Sequence, residues 1–491
     1  MSDAFAALDA TAQAELVRRG ETTPTELVDA AIARIEALNP VLNAVIWSDF
    51  DAARRAAASP ALPDGPLRGV PFLLKDIGAT QAGLPYWAGS GALRDAGHRS
   101  AADTELGARF RRAGLVTIGK TNLPELGSCP TTQTVAFGPA NNPWDLTRSP
   151  AGSSGGAAAA VAAGLVPVAH ANDGGGSTRL PAAWCGLVGL KTSRGRMPQP
   201  GAISRLVSEL VVSRTVRDTA AVLDATCGHV DADLYHLPPP SRPYGQELGA
   251  DPGVLRVGLL TEGGEYDVDP QCVLAAERTA AVLASMGHHV EPVSGDVLFG
   301  GDGKVNGTLW MASIDGVGGG SVHHGRPAAG RGRPRGLNHA AAEHTAPQRS
   351  GVDRRPAAPA AVGDVGVRVA GGLRPVAHAD GRMPADAHRR AVAVDGGAVE
   401  DRPDLRSHRA VHPPVQRHRP PRHLAPAALD PDGLPVGVQL VAAIGREDLL
   451  LRIASRLEEA MPWRERVPPT SALSNATPGS AGTPPGGAGC G

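Results

Sequence analysis

Lys75 closes an apolar run, Val70-Pro-Phe-Leu-Leu74, and two glycine-serine loops follow it along the chain. These are Gly152-Ser153-Ser154-Gly155-Gly156 and Gly174-Gly175-Gly176-Ser177-Thr178-Arg179. A serine hydroxyl is a poor nucleophile, and it needs a base within hydrogen-bond reach and donors aimed at the oxyanion that forms. Three successive glycines before Ser177 allow a turn that points several N–H groups at one spot. A lysine can serve as the base only when neutral. An apolar strand ending at Lys75 could deliver it into a buried site, where loss of water lowers its pKa. Ser153 would then relay the proton, and the chemistry served is attack on a carbonyl through an acyl-enzyme intermediate.

Two competing patterns need different chemistry. Gly114-Leu-Val-Thr-Ile-Gly119-Lys120-Thr121 fits the phosphate-loop spacing, but that motif needs a strand before its first glycine and a helix after its lysine. Here the strand lies inside the loop positions and Pro124 interrupts the start of any following helix, so Lys120 reads as structural. Gly152-Ser153-Ser154-Gly155-Gly156 also fits the nucleophile elbow, with Ser154 as attacking residue. Turn formers from Asn141 to Pro150 stand where the elbow requires a strand.

The pair of loops with the upstream lysine resembles the amidase signature family, in which a lysine, a serine in a GSSGG loop and a serine in a GGS-x-R loop do the catalysis. The resemblance covers Thr11 to about Val293 and resumes from Asp432 to Trp463, including Gly69-Val-Pro-Phe-Leu-Leu-Lys-Asp76, Gly119-Lys-Thr-Asn122 and Cys185-Gly-Leu-Val-Gly-Leu-Lys191. It implies an α/β fold with a large mixed central sheet flanked by helices. It also implies Ser177 as nucleophile, Lys75 as base and Ser153 as relay. The N–H groups of Gly174, Gly175, Gly176 and Ser177 would form the oxyanion hole, Ser154 would stabilise its loop, and a cis peptide would join Gly152 to Ser153. Thr11-Ala-Gln-Ala-Glu-Leu-Val-Arg18, Val168-Ala-His-Ala-Asn-Asp173, Ser241-Arg-Pro-Tyr244 and Gly445-Arg-Glu-Asp-Leu-Leu-Leu451 look most like the 6-aminohexanoate-cyclic-dimer hydrolase type within the family. Gly174 and Gly175 depart from that type, which often has alanines there. A glutaminase subunit of a tRNA-dependent amidotransferase and an inactive remnant of an amidase remain open as alternatives.

Around the loops, Asp173 and Arg179 read as a structural ion pair or loop hydrogen bonds at least as readily as substrate contacts. His170 reads as a packed loop residue, because Lys75 and Ser153 already supply a base and a relay. Cys129 reads as a buried, inert thiol.

Composition sets the surroundings. The 48 lysines and arginines nearly balance the 49 aspartates and glutamates, so no global field favours nucleic acid or an anionic membrane. The expected partner is a small, neutral molecule, which the resemblance implies is an amide, with no nucleic acid and no membrane; a homodimer stays open. Cys129, Cys185, Cys227, Cys272 and Cys490 form no CxxC pair, so neither a metal nor a disulfide framework is expected, and no cofactor is called for. With no basic start followed by an apolar stretch, the N-terminus predicts no secretory signal and a cytoplasmic protein.

The elements that must position these residues alternate strand with helix. Thr23-Pro24-Thr25-Glu26 is a capping box, and the helix after it is expected to stop at Asn39-Pro40. Strands are predicted at Val70–Leu74, Leu115–Ile118, Leu165–Ala169, Leu187–Leu190, Leu255–Leu260, His289–Val293 and before Val441. Helices are predicted over Leu106–Ala113, Gly155–Ala163, Pro270–Met286 and Glu447–Ala460. A single domain over 1–463 follows, with a disordered tail at 464–491.

One stretch fits none of this. From Gly316 to Ala425 there is no Phe, Tyr, Trp, Lys, Ile or Cys, while ten of the sixteen histidines lie inside. A disordered Arg/Pro/Ala-rich linker is one reading. Translation in the wrong frame is the other: out-of-frame reading of a GC-rich gene yields Arg, Ala, Gly, Pro and His, and the family resemblance stops and restarts inside a continuous domain. That reading predicts irregular, poorly packed chain from 316 to 425.

Overall fold

The structure is a computed structural model that describes residues 4–199, 207–262, 268–293 and 421–475, together with the backbone of a strand at Gly366–Leu373. The strands are β1 (Val45–Ser48), β2 (Pro71–Lys75), β3 (Val116–Thr121), the two-residue β4 (Gln133–Thr134) and β5 (Gly138–Pro139), β6 (Val168–Asp173) and β7 (Val188–Lys191). They continue with β8 (Ser208–Ser213), β9 (Arg256–Leu260), β10 (His289–Pro292), β11 (Gly366–Leu373), β12 (Arg422–Leu429) and β13 (Pro435–Val441). The helices are α1 (Ala4–Ala7), α2 (Ala10–Arg18), α3 (Pro24–Leu42), α4 (Phe50–Ala58), α5 (Gly91–Asp95) and α6 (Glu105–Arg112). After them come α7 (Gly155–Ala162), α8 (Arg179–Cys185), α9 (Val216–Thr226), α10 (Pro270–Ser285) and α11 (Glu447–Ala460).

All strands but β4 and β5 join one mixed sheet of eleven, ordered β1-β3-β2-β6-β8-β7-β12-β13-β11-β9-β10. β2 lies between β3 and β6 and is parallel to both. β8 then runs antiparallel to β6 and to β7, and β12 is antiparallel to β7 and β13. This is the α/β architecture expected. Strand alternation divides the interior into two cores, because successive side chains leave opposite faces of a sheet. Phe72 and Leu74 of β2 join Phe110 of α6 and Leu223 of α9 in one core. Leu73 between them joins Ile118 and the small residues of α7 in the other.

α3 starts as its capping box requires: Glu26 N–H donates 3.2 Å to Thr23 Oγ1, and Thr23 N–H donates 2.8 Å to Glu26 Oε2. It does not stop at Asn39-Pro40 but runs on to Leu42, ending at Asn43 with φ +47°. Proline removes one helical donor without unfolding the last turn. Asn39 instead shapes the exit, its Oδ1 accepting from Ala44 N–H at 2.9 Å and Val45 N–H at 2.8 Å.

Other expectations move by a few residues. The strand expected at Leu165–Ala169 is β6 at Val168–Asp173, so His170 sits in a strand and not a loop. The structure adds β8, which the sequence reading did not anticipate. In the tail, Ala472 N–H donates 3.0 Å to the Ala163 carbonyl and Thr470 N–H 3.2 Å to that of Pro143, so residues 464–475 pack back on the domain. Residues 476–491 lie outside the described residues. So does most of the Gly316–Ala425 stretch, where the described parts are regular strand: β11 pairs parallel with β9 and antiparallel with β13, and β12 begins at Arg422. The Gly366-Val-Arg-Val-Ala370 run supplies the β-branched residues for that ladder.

Candidate active site

The carboxyl ends of three parallel strands meet where an α/β sheet ordinarily binds its ligand. β2 ends at Lys75, β3 at Lys120-Thr121 and β6 at Asn172-Asp173. Lys75 is fully buried, and its Nζ lies 2.7 Å from Ser153 Oγ, 2.9 Å from Ser154 Oγ and 2.7 Å from Asn172 Oδ1. Burial pushes this amine down to about 7, against the opposing pull of the Glu209 and Asp173 carboxylates. A buried lysine in that range is neutral for a useful fraction of time at physiological pH and can accept a proton.

Both glycine-serine loops converge on it. The Gly152–Ser153 peptide is cis, as the resemblance implied. Ser154 N–H donates 3.1 Å to the Ser177 carbonyl, which ties the two loops together, and Ser154 stands at the start of α7 with no strand before it. The elbow reading therefore lacks its strand.

Beneath Ser177 lies a clamp. Asp173 Oδ1 accepts from Gly176 N–H at 2.8 Å, and Asp173 Oδ2 accepts from the Thr178 and Arg179 N–H groups, each at 3.3 Å. The same carboxylate takes Arg179 Nε at 2.8 Å and Nη2 at 2.9 Å, with both residues buried. Arg179 Nη1 in turn donates 2.6 Å to Gln439 Oε1 of β13, bringing the C-terminal strands to the loop. Gly176 holds φ +133°, and a side chain there would also come within 3.0 Å of Leu180, so glycine is required. The ion-pair reading of Asp173 and Arg179 is the one the structure displays.

Lys120 is buried 3.6 Å from Asp76, whose carboxylate also accepts from Trp87 and Gly89 N–H groups at 3.1 and 3.4 Å. Its strand occupies the positions a phosphate loop would need. Cys129 is half-buried with its thiol pushed up by burial.

Among the described residues no cluster of histidine, cysteine or carboxylate side chains could hold a metal, and no helix is long and apolar enough to cross a membrane. Comparison with known proteins decides the family. The family model described as Amidase matches residues 26–298. A 6-aminohexanoate-cyclic-dimer hydrolase from Paenarthrobacter ureafaciens is 39% identical, over 94% of this chain and 96% of its own. The chain belongs to the amidase family. Among solved structures, the amidase is similar to that of a 6-aminohexanoate cyclic dimer hydrolase, with a TM-score of 0.74 and 33% identity over 95% of this chain and 99% of the other. It is also similar to a bacterial aryl acylamidase of the amidase signature family, with a TM-score of 0.77 and 26% identity over 96% and 98% of the two chains.

The structure thus brings Lys75, Ser153, Ser154 and the loop of Ser177 to one place. Two polar neighbours of this amidase's site escaped sequence reasoning. Asn172 contacts Lys75 directly, and Glu209 of β8 stands behind it, its Oε1 accepting from Asn172 Nδ2 at 3.3 Å. A glutamate directly before the apolar Leu210-Val-Val212 was the available signal, since a buried charge needs a partner.

Proposed function

We propose that this amidase hydrolyses a carboxylic amide, linear or cyclic, through an acyl-enzyme on Ser177, with Ser153 as relay and Lys75 as base. The buried 2.7 Å contact between Lys75 Nζ and Ser153 Oγ carries the reading. As Ser177 Oγ attacks the carbonyl carbon, its proton passes to Ser153 while the Ser153 proton passes to Lys75. The C–N bond then breaks and the amine leaves with a proton returned along the same path. Water next attacks the ester, its proton taking the same route, and Ser177 is released. Of the four N–H groups expected to face the oxyanion, that of Gly176 already donates to Asp173, so the role rests chiefly on Gly174, Gly175 and Ser177.

The relatives named for 6-aminohexanoate cyclic dimer make that cyclic amide the first substrate to test, beside linear acylamides and glutamine. Turnover of glutamine alone would point instead to an amidotransferase subunit. The cytoplasm is the proposed compartment, on cysteines scattered along the sequence without any CxxC pair.

Only neutral Lys75 can accept the proton, so kcat/KM should rise through about pH 7 and level off above it. A profile flat from about pH 6 to 10 would remove lysine from the base role.

We also read Gly316 to Ala425 as out-of-frame sequence. The alignment with the Paenarthrobacter enzyme spans 94% of this chain and 96% of that one, so family sequence lies on both sides of the stretch. The stretch itself has no Phe, Tyr, Trp, Lys, Ile or Cys, as out-of-frame reading of a GC-rich gene would give. Sequencing the coding DNA is expected to reveal two compensating frame changes at its borders; an uninterrupted frame in a fully active enzyme would overturn this reading.

A further inference from the structure

The hydrogen bonds around Lys75 have a direction that the catalytic groups alone do not set. A neutral amine has two N–H donors and one lone pair, yet Lys75 Nζ has three close partners. Asn172 Oδ1 can only accept. Ser154 Oγ lies 3.4 Å from the Asn172 carbonyl, toward which its own proton turns, and is therefore an acceptor toward Lys75. Both N–H donors are then spent, and the lone pair is left facing Ser153.

This arrangement holds only while Asn172 presents its oxygen. Its Nδ2 faces Glu209 Oε1 at 3.3 Å and the Ile77 carbonyl at 3.5 Å. Turned over, the amide would set its oxygen against two acceptors and its NH2 against the amine. Glu209 is itself fixed, because Oε2 lies 2.7 Å from His170 Nε2. Burial lowers the His170 pKa despite the pull of Glu209, so the ring stays neutral and donates from Nε2. The ring is fully buried, its centroid 5.6 Å from that of Phe110. Gly78, at φ +95° in the turn after β2, closes the network: a side chain there would come within 2.6 Å of Glu209 Oε2 and 2.7 Å of Asn172 Nδ2.

We propose that Glu209, held by His170 and acting through Asn172, is a positioning residue that aims the lone pair of Lys75 at Ser153. The proposal rests on Lys75 being the base. The other charged groups near Lys75 are engaged elsewhere: Asp173 with Arg179, and Asp76 with Lys120. Glu209 is thus the carboxylate whose charge reaches Lys75 along an unbroken hydrogen-bond path.

The test is the pH dependence of Ser177 labelling by a fluorophosphonate, measured on the full chain. Glu209→Gln keeps the size and removes the charge, so the labelling rate should fall several-fold and its midpoint should move about one pH unit lower. His170→Gln keeps a donor for Glu209 and should hold the native midpoint. Where Glu209→Gln gives no soluble protein, His170→Leu carries the test, since it strips the donor from Glu209 without touching Asn172; its rate should also fall. A folded Glu209→Gln protein with native rate and midpoint, beside a Lys75→Ala protein that does not label, would overturn the positioning role alone. Native labelling of Lys75→Ala would instead remove the base assignment on which it rests.

Discussion

Lys75→Ala should lower kcat/KM for amide hydrolysis by about 10²- to 10⁴-fold, the usual worth of a positioned general base. Lys75 is the amine in contact with Ser153 Oγ, and His170 is turned to Glu209, so neither it nor any other group described at the site replaces the lost base. Stability should change little. The variant loses hydrogen bonds to Ser153, Ser154 and Asn172, but it also escapes the cost of burying an amine whose pKa burial has already driven down. A melting temperature within about 4 °C of native is expected. Lys75→Arg separates base from charge, because a guanidinium keeps the cation and the donors but does not deprotonate. It should be as inactive as the alanine variant. Amidase activity within about tenfold of native in Lys75→Ala would end the assignment.

How far the sequence disclosed this site depended on the kind of signal each residue left. Lys75, Ser153 and Ser177 were legible because nucleophilic chemistry demands those types beside glycine-rich turns, and the two loops mark themselves in sequence. The helix over Glu447–Ala460 was legible because its apolar residues recur on one face. Asn172 was not, and Glu209 left only the signal of a charge next to an apolar run, which does not say what it completes. Their roles arise from pairing: β6 and β8 run antiparallel, with Asn172 opposite Glu209, and that register is a tertiary fact. The misplaced end of α3 has a similar cause, for Asn39 is fixed by contacts to Ala44 and Val45 on the returning chain. The composition of 316–425 was conspicuous too, but apart from β11 and the start of β12 that stretch lies outside the described residues.

Asp173→Asn is expected to be the most destabilising single change at the site, by roughly 3–5 kcal/mol. Asp173 accepts from the N–H groups of Gly176, Thr178 and Arg179 and from two nitrogens of the Arg179 side chain. An asparagine can keep part of this set, but its NH2 faces donors on one side, and the buried guanidinium loses the carboxylate it is paired with. The pH dependence identifies the cause. Burial alone would raise the Asp173 pKa, yet Arg179, Lys191 and the Gly176 N–H together hold it well below the usual carboxylate range. With the folded pKa below the unfolded value of about 3.9, the stabilisation is complete above that value and is lost as pH falls toward the folded one. Denaturant melts should therefore show the full gap between native and Asp173→Asn at neutral pH, narrowing below about pH 4. A constant gap down to about pH 2.5 would mean that shape and not charge holds the loop. Activity should fall along with stability even where the variant is folded, because Asp173 fixes the turn from Gly174 to Ser177 against Arg179, and Arg179 is fastened to Gln439 of β13. A folded Asp173→Asn enzyme with native kcat would detach this clamp from the chemistry.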